Sequence, residues 1–267
     1  MEERNVTCWE KFIEGLEEIR KEHASSTEHD QDSPLLFRGQ ANSCWQLSTT
    51  LERKRPQMLY IDYYRIIHRI RPQIEALVGA DWPIPEYPEV EDLVKRRYED
   101  FNNVLWAGER PAYAYMAYLR HHAFPSPLLD WSRSPYVAAY FAFAKACTNA
   151  NERASIFVLG ERNFKPSGNR MNVVYFFGPY VKTHRRHVLQ QSQYTACLSF
   201  HDEWQFESYD SVFQQGVHQQ AFCWKFTIPV TERQKVLALL DEHNLNAFSL
   251  FGSEESLMET LAIREFV

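Results

Sequence analysis

The chain has 267 residues, 45% of them hydrophobic, with 7 Trp, 14 Tyr and 18 Phe against only 9 Gly, and a formal net charge of −6. This apolar content is enough for a sizeable core, and the acidic balance gives no chain-wide attraction to nucleic acid or an anionic membrane. The glycines are too far apart for GxGxxG or GxxxxGK[ST], which excludes Rossmann, Walker and kinase-type phosphate loops in their standard forms. Cys8, Cys44, Cys147, Cys197 and Cys223 are scattered without a CxxC pair and are expected to be reduced, mostly core thiols of a cytoplasmic protein. The acidic N-terminus does not have the pattern of a secretion signal, and no apolar run is long enough to span a bilayer, so no membrane partner is expected.

In chain order, Trp9, Phe12, Ile13, Leu16 and Ile19 recur with a helical period after Thr7, a candidate N-cap. A polar run follows, and then PLLFRGQ (34–40) reads as a buried strand ending near a glycine. Helical periodicity covers 57–78 and 90–107, on either side of the proline-rich DWPIPEYPE. Residues 112–122 form a third predicted helix with Pro111 at its first turn. The run from Ser134 forms a fourth, capped by Ser134 and opened by Pro135. Beyond about residue 153 the pattern becomes β-rich, in ASIFVLG, NVVYFF, QYTACLSF and QAFCWKFTIP, with helices predicted over 231–243 and 254–263. These elements make an α+β domain in which the strand at Arg38 must find its partners in the C-terminal half.

HExxH and GxSxG motifs are absent. His184 and His187 lie at i,i+3 but lack a neighbouring carboxylate or thiol at ligand spacing, so they are read as exposed polar histidines and no metal site is expected. THRRH (183–187) is the densest basic patch. Two other segments combine unusual residue types. In LLFRGQANSCWQLSTTLERK, Arg38 ends an apolar strand, where a guanidinium can hold a phosphate or ribose oxygen with forked hydrogen bonds. In HHAFPSPLLDWSRSPYVAAYFAFAKA, His121, Asp130, Trp131 and Ser132 precede a helix whose N-terminus favours an anion. Two readings stand together at this point: a ligand-holding group, or a structural Arg38–Asp130 ion pair with Trp131 as a core aromatic.

Phe37, Arg38, Gly39 and Gln40, followed by Trp45, Leu47 and Arg53, resemble the FRG domain family. His121 through Ala142 is similar to the family's central block, with His122, Ala123, Ser126 and Ser132 as departures. Arg186 with QQSQYT, where Ser192 replaces a glycine, and the C-terminal NAFSLFGSEESLMETL extend the likeness to about residue 262. The resemblance divides the chain into a lead-in over 1–33 and an FRG domain over 34–267, with a helical insertion at about 57–110.

FRG domains look like distant members of the ADP-ribosyltransferase fold, which implies a split antiparallel sheet and a cleft that consumes NAD without a metal. On that likeness Arg38, Asp130 and Gln190 or Gln191 are the catalytic candidates, with Glu203 and Glu207 as further acids. Arg38, Gln40, His121, Trp131 and Ser132 are the NAD-binding candidates. The resemblance implies a cytoplasmic toxin of a toxin–antitoxin or anti-phage module. It would modify a macromolecular acceptor, with RNA or DNA slightly favoured over protein because of Arg65, Arg69, Arg71 and THRRH, and it would be held in check by a neutralising antitoxin protein. A non-catalytic nucleotide- or phage-component-binding module and an NAD hydrolase are the alternatives.

Overall fold

The structure is a computed structural model and describes every residue except 27–33, 83, 87, 92–111, 146–151, 162–170, 179–180, 182–184, 201, 215–220 and 267. Its strands are β1 (Glu2–Asn5), β2 (Leu36–Gln40), β3 (Leu129–Ser132), β4 (Arg153–Glu161), β5 (Met171–Phe177), β6 (Ser192–Phe200), β7 (Trp204–Phe206) and β8 (Ala221–Pro229). They form one mixed sheet in the order β1-β8-β4-β2-β3-β6-β5, with β7 added to β6. Among the described strands the β1–β8 pair alone is parallel; the other strand pairs are antiparallel. The described helices are α1 (Trp9–Ser26), α2 (Tyr60–Val78), α3 (Tyr113–His121), α4 (Pro135–Phe143), α5 (Arg186–Leu189), α6 (Tyr209–Gln214), α7 (Arg233–Glu242), α8 (Ala247–Phe251) and α9 (Glu254–Phe266). The α+β expectation holds, and the Arg38 strand does pair with a C-terminal partner, β4, along its whole length.

Apolar residues at the expected periods build three buried clusters. Trp9, Phe12, Leu16 and Ile19 of α1 join Val137 and Phe143 of α4, Val236 and Leu240 of α7, and Ile156 and Phe226 of the sheet. Leu36, Trp131, Phe157, Val174, Tyr209 and Phe213 form a second group. Tyr63, Tyr64 and Ile67 of α2 pack with Tyr115 and Leu119 of α3 and with Tyr194 and Trp204 in the third. Successive side chains along a strand point to opposite faces, so Leu36 and Phe37 enter different clusters.

Several local expectations change. α1 begins at Trp9, two residues beyond the expected cap at Thr7, and the Trp9 amide donates to Glu232 Oε2 at 3.0 Å. A carboxylate from the far end of the sequence therefore satisfies the first turn. Ser134 does cap α4, accepting from Val137 N at 3.3 Å, with Pro135 in the first turn. The helix expected at 57–78 runs Tyr60–Val78, and most of the one expected at 90–107 lies outside the described residues. β1 and β3 were not anticipated as strands.

Gly39 explains how β2 and α4 meet. A Cβ at this position would lie 1.8 Å from the Ala138 carbonyl oxygen and 2.7 Å from Ala142 N. Only glycine permits this backbone approach, which holds the N-terminal half of α4 against the strand that carries Arg38.

Candidate functional site

The sheet is thinnest between β2 and β3, where a single register pair, Phe37 with Ser132, joins the two strands. The neighbouring β2–β4 and β3–β6 ladders run for five and four pairs. A cleft of about 850 Å³ opens beside this seam, walled by β2, β3, α4 and the 41–48 loop. Its size suits a small-molecule ligand or cofactor.

Arg38 and Asp130 face each other across the seam. Arg38 Nη1 donates to the Asp130 carbonyl oxygen at 2.6 Å and to Oδ2 at 3.0 Å. From α3, Arg120 Nε donates to Asp130 Oδ1 at 2.9 Å, so both carboxylate oxygens are engaged by guanidiniums. Burial alone would raise the Asp130 carboxyl, but the charges and hydrogen bonds of Arg38 and Arg120 outweigh it and hold the group well below the usual carboxylate range. Asp130 is the only carboxylate among the cleft-lining residues, and it stays ionised and neutralised on both sides.

Beneath it, Trp131 Nε1 donates to Thr195 Oγ1 at 2.7 Å, and Thr195 Oγ1 is in turn bonded to the Tyr209 hydroxyl. Ser132 Oγ donates to the Gln190 carbonyl at 2.8 Å and accepts from Ser134 N at 3.0 Å. These bonds tie β3 to β6 and to the start of α4. The amides at the α4 N-terminus are also occupied: Ser134 N by Ser132 Oγ, Val137 N by Ser134 Oγ and Ala138 N by the Ser134 carbonyl. The anion site expected at this helix start is thus largely satisfied from within the chain.

The opposite wall and the rim supply groups that the sequence reading did not single out as ligand contacts. Arg53 lines the cleft from a turn closed by reciprocal Thr49–Glu52 hydrogen bonds, and its Nη1 donates to the Ser48 carbonyl at 2.8 Å. Desolvation, followed by the charges of Arg120 and Arg38, lowers the pKa of Arg53. A cation in that setting is stabilised by an incoming anion. Lys145 stands four residues beyond Phe141 and also lines the cleft. Trp45 is 51% exposed and Phe141 36% exposed, so two ring faces border the opening. The signals available for these residues were the family positions of Trp45 and Arg53, and for Phe141 and Lys145 the four-residue helical spacing from Val137.

The cleft gathers Arg38, Gln40, Asp130, Trp131, Ser132 and Gln190 of the expected residues, and not His121 or Gln191. His121 Nε2 is bonded to the Tyr194 hydroxyl at 2.8 Å. Gln190 Nε2 donates to the Leu250 carbonyl at 3.3 Å, whereas Gln191 is exposed with φ 48°. Trp131 is only 3% exposed and is held as a core aromatic; Trp45 is the accessible indole. Glu203 and Glu207 do not line the cleft.

His187, read as an exposed histidine, is 5% exposed and stacks on Tyr194 at 5.7 Å. His184 lies outside the described residues. Cys197 and Cys223 are buried as expected, but Cys44 is exposed and lines the cleft. Among the arginines proposed to hold nucleic acid, Arg65 pairs with Asp62 at 3.1 Å and Arg71 lies 3.7 Å from both Glu75 and Glu86. Among the described residues no helix is long and apolar enough to cross a membrane.

A mixed sheet joined by one register pair at the β2–β3 seam, with a cationic, aromatic-rimmed cleft beside it, makes this an α+β protein with a candidate ligand site. Residues 33–151, a little under half of the chain, match the family described as FRG domain. No curated protein and no solved structure matches it.

Proposed function

We propose that the cleft binds a phosphate-bearing ligand with an aromatic ring, NAD first among them, and that the chain consumes it as an ADP-ribosyltransferase-like enzyme acting on a macromolecule. The observation that carries the ligand class is the convergence of Arg38, Arg53 and Lys145 with the exposed rings of Trp45 and Phe141 in one cleft. Guanidiniums suit pyrophosphate oxygens, and exposed rings suit a base or nicotinamide. On this reading the sheet, reduced to one bridge between β2 and β3, corresponds to the split antiparallel sheet of the ADP-ribosyltransferase fold.

The reaction breaks the bond between ribose C1′ and the nicotinamide nitrogen and forms one from C1′ to an acceptor nucleophile, which gives up its proton. Arg38 and Arg53 would anchor the pyrophosphate, leaving C1′ placed for attack. The acceptor is RNA, DNA or protein. The ion pairs of Arg65 and Arg71 remove much of the reason for favouring nucleic acid. The toxin role, the neutralising antitoxin and the cytoplasmic setting belong to the same proposal through the family resemblance.

Asp130 favours a second reading. An oxocarbenium-like transition state is stabilised by nearby negative charge, and Asp130, the one carboxylate among the described cleft-lining residues, is already held by two guanidiniums. A binding module that recognises the nucleotide without turning it over fits that neutralised carboxylate.

Incubating the purified chain with labelled NAD and cell extract separates these readings. Label on macromolecules supports the transferase, and its sensitivity to nuclease or protease identifies the acceptor class. Free ADP-ribose with released nicotinamide supports a hydrolase. Saturable binding without turnover supports the module, and an absence of NAD binding ends the NAD reading.

A further inference from the structure

α9 turns its hydroxyls inward and its long apolar side chains outward. Its buried positions are Ser256 and Thr260, 5% and 3% exposed, while Met258 and Leu261 are 57% and 41% exposed. A surface helix held by packing has the opposite arrangement, with its apolar stripe toward the core. Hydroxyl bonds hold α9 instead. The Ser253 and Ser256 side chains accept from each other's amides at 3.3 and 2.9 Å, and Thr260 Oγ1 donates to the Ser256 carbonyl and accepts from Phe248 N of α8, both at 2.9 Å. On the outer side, Glu254, Met258, Leu261 and Glu265 follow one another at spacings of four, three and four residues. They form one exposed stripe, an apolar pair with a carboxylate at each end. The helix carries Glu254, Glu255, Glu259 and Glu265 against Arg264, and that guanidinium is held by Asp241 at 2.8 and 3.0 Å.

Apolar side chains held out on a rigid helix offer a surface to a partner, and the charges at the two ends of the stripe select which partner. An antiparallel pair of α9 helices would set Glu254 of one copy against Glu265 of the other, and a parallel pair would set each glutamate against its own counterpart. A second copy of this chain is therefore repelled in either direction. An anionic bilayer is repelled for the same reason. A helix whose own apolar pair is bracketed by Lys or Arg fits on both counts, because it covers Met258 and Leu261 and brings a cation to each glutamate. We propose that the outer face of α9 docks a basic amphipathic helix of a partner protein, with the apolar pair supplying affinity and the two carboxylates fixing register. None of the four stripe residues lines the cleft, so this surface is independent of what the cleft holds.

The test is calorimetric titration of the whole chain with a synthetic helix of about 20 residues, long enough to hold its fold. Its stripe is complementary: two leucines three residues apart, with a lysine four residues beyond each, on a background of Ala and Gln. Saturable binding is expected, and the same peptide with Glu in place of Lys should bind about tenfold more weakly or not at all, a comparison that needs no variant to fold. The double variants Met258→Ser/Leu261→Ser and Glu254→Gln/Glu265→Gln should each lose about tenfold for the lysine peptide. Glu14→Gln/Glu18→Gln, which removes two exposed carboxylates from α1, should stay within about twofold. No binding of the lysine peptide, equal binding of the two peptides, or an equal loss in the α1 variant would overturn the proposal. Two further results would overturn it by naming another occupant. A wild-type dimer in sedimentation equilibrium that Met258→Ser/Leu261→Ser dissociates assigns the face to a second copy. Binding to phosphatidylcholine–phosphatidylglycerol vesicles that the same variant abolishes assigns it to a lipid surface.

Discussion

The two strands flanking the seam carry similar polar residues and use them in opposite ways. On β3, Asp130 spends its oxygens on Arg38 and Arg120, Trp131 its N–H on Thr195, and Ser132 its hydroxyl on Gln190 and Ser134. On β2, Arg38 Nε and Gln40 Oε1 are buried without partners among the described residues. The first wall is internally complete and sets the shape of the cleft. The second is incomplete among the described residues. The most distinctive block of the sequence, Leu-Leu-Asp-Trp-Ser, is therefore mainly a frame, and on the proposed reading the ligand contacts lie on the Trp45 and Arg53 turns.

The contrast between the two tryptophans gives the largest expected effect. Trp131→Ala empties a buried site and should cost about 3–5 kcal/mol of stability by denaturant unfolding. A change below about 1 kcal/mol would mean that β3 is not a frame. Next comes Asp130→Asn, which leaves Arg38 and Arg120 facing a neutral amide. Because the carboxylate is partly open to solvent, a loss of about 2 kcal/mol is expected at neutral pH.

That loss has a pH signature. The folded-state pKa of Asp130 is depressed, so its contribution is fully present above its unfolded value and disappears as the pH falls toward the depressed folded one. The stability difference between wild type and Asp130→Asn should shrink between about pH 5 and pH 2; a constant difference would break the assignment.

The smallest stability effects belong to the open rim. Trp45→Ala should change stability by no more than about 0.5 kcal/mol and weaken NAD binding about tenfold through lost ring stacking. Arg53→Ala should reduce NAD affinity and flatten its salt dependence, measured by titration at two ionic strengths. Unchanged binding in both variants would move the ligand away from this rim.

Much of the frame is legible in the sequence because it follows from periodicity and local caps. β2 is an apolar run, Ser134 and Pro135 start α4 as their chemistry requires, and β4, β5, β6 and β8 show as β-rich runs, whereas the three-residue β7 does not. β1 is not legible, since Glu-Glu-Arg-Asn has no buried face to reveal; the strand exists because its backbone pairs with β8. β3 is four residues long and has no alternation to read. Burial of individual aromatics is equally invisible: Trp45 and Trp131 differ only in what tertiary contacts reach them. His187 looked exposed because its run is basic, yet Tyr194 from the adjacent strand covers its ring. Arg38, Gln40, Asp130, Trp131, Ser132 and Gln190 do meet at the cleft, but Arg53, Lys145, Trp45 and Phe141 were not singled out as contacts, and telling frame from open rim needed hydrogen-bond partners that no spacing rule supplies.

The β1–β8 pairing joins residues 2–5 to residues 224–227, and the Trp9 amide is bonded by Glu232. Contacts of such long sequence separation make folding slow and place its completion late. On the ribosome, β1 stays without its partner until β8 has emerged, and β2 gains its ladder only once β4 is made. The cleft wall that carries Arg38 and Gln40 is therefore assembled from segments synthesised far apart in time. An unfinished chain has residues 33–151 but lacks the sheet that would align them, so the cleft takes shape only in a late step of synthesis.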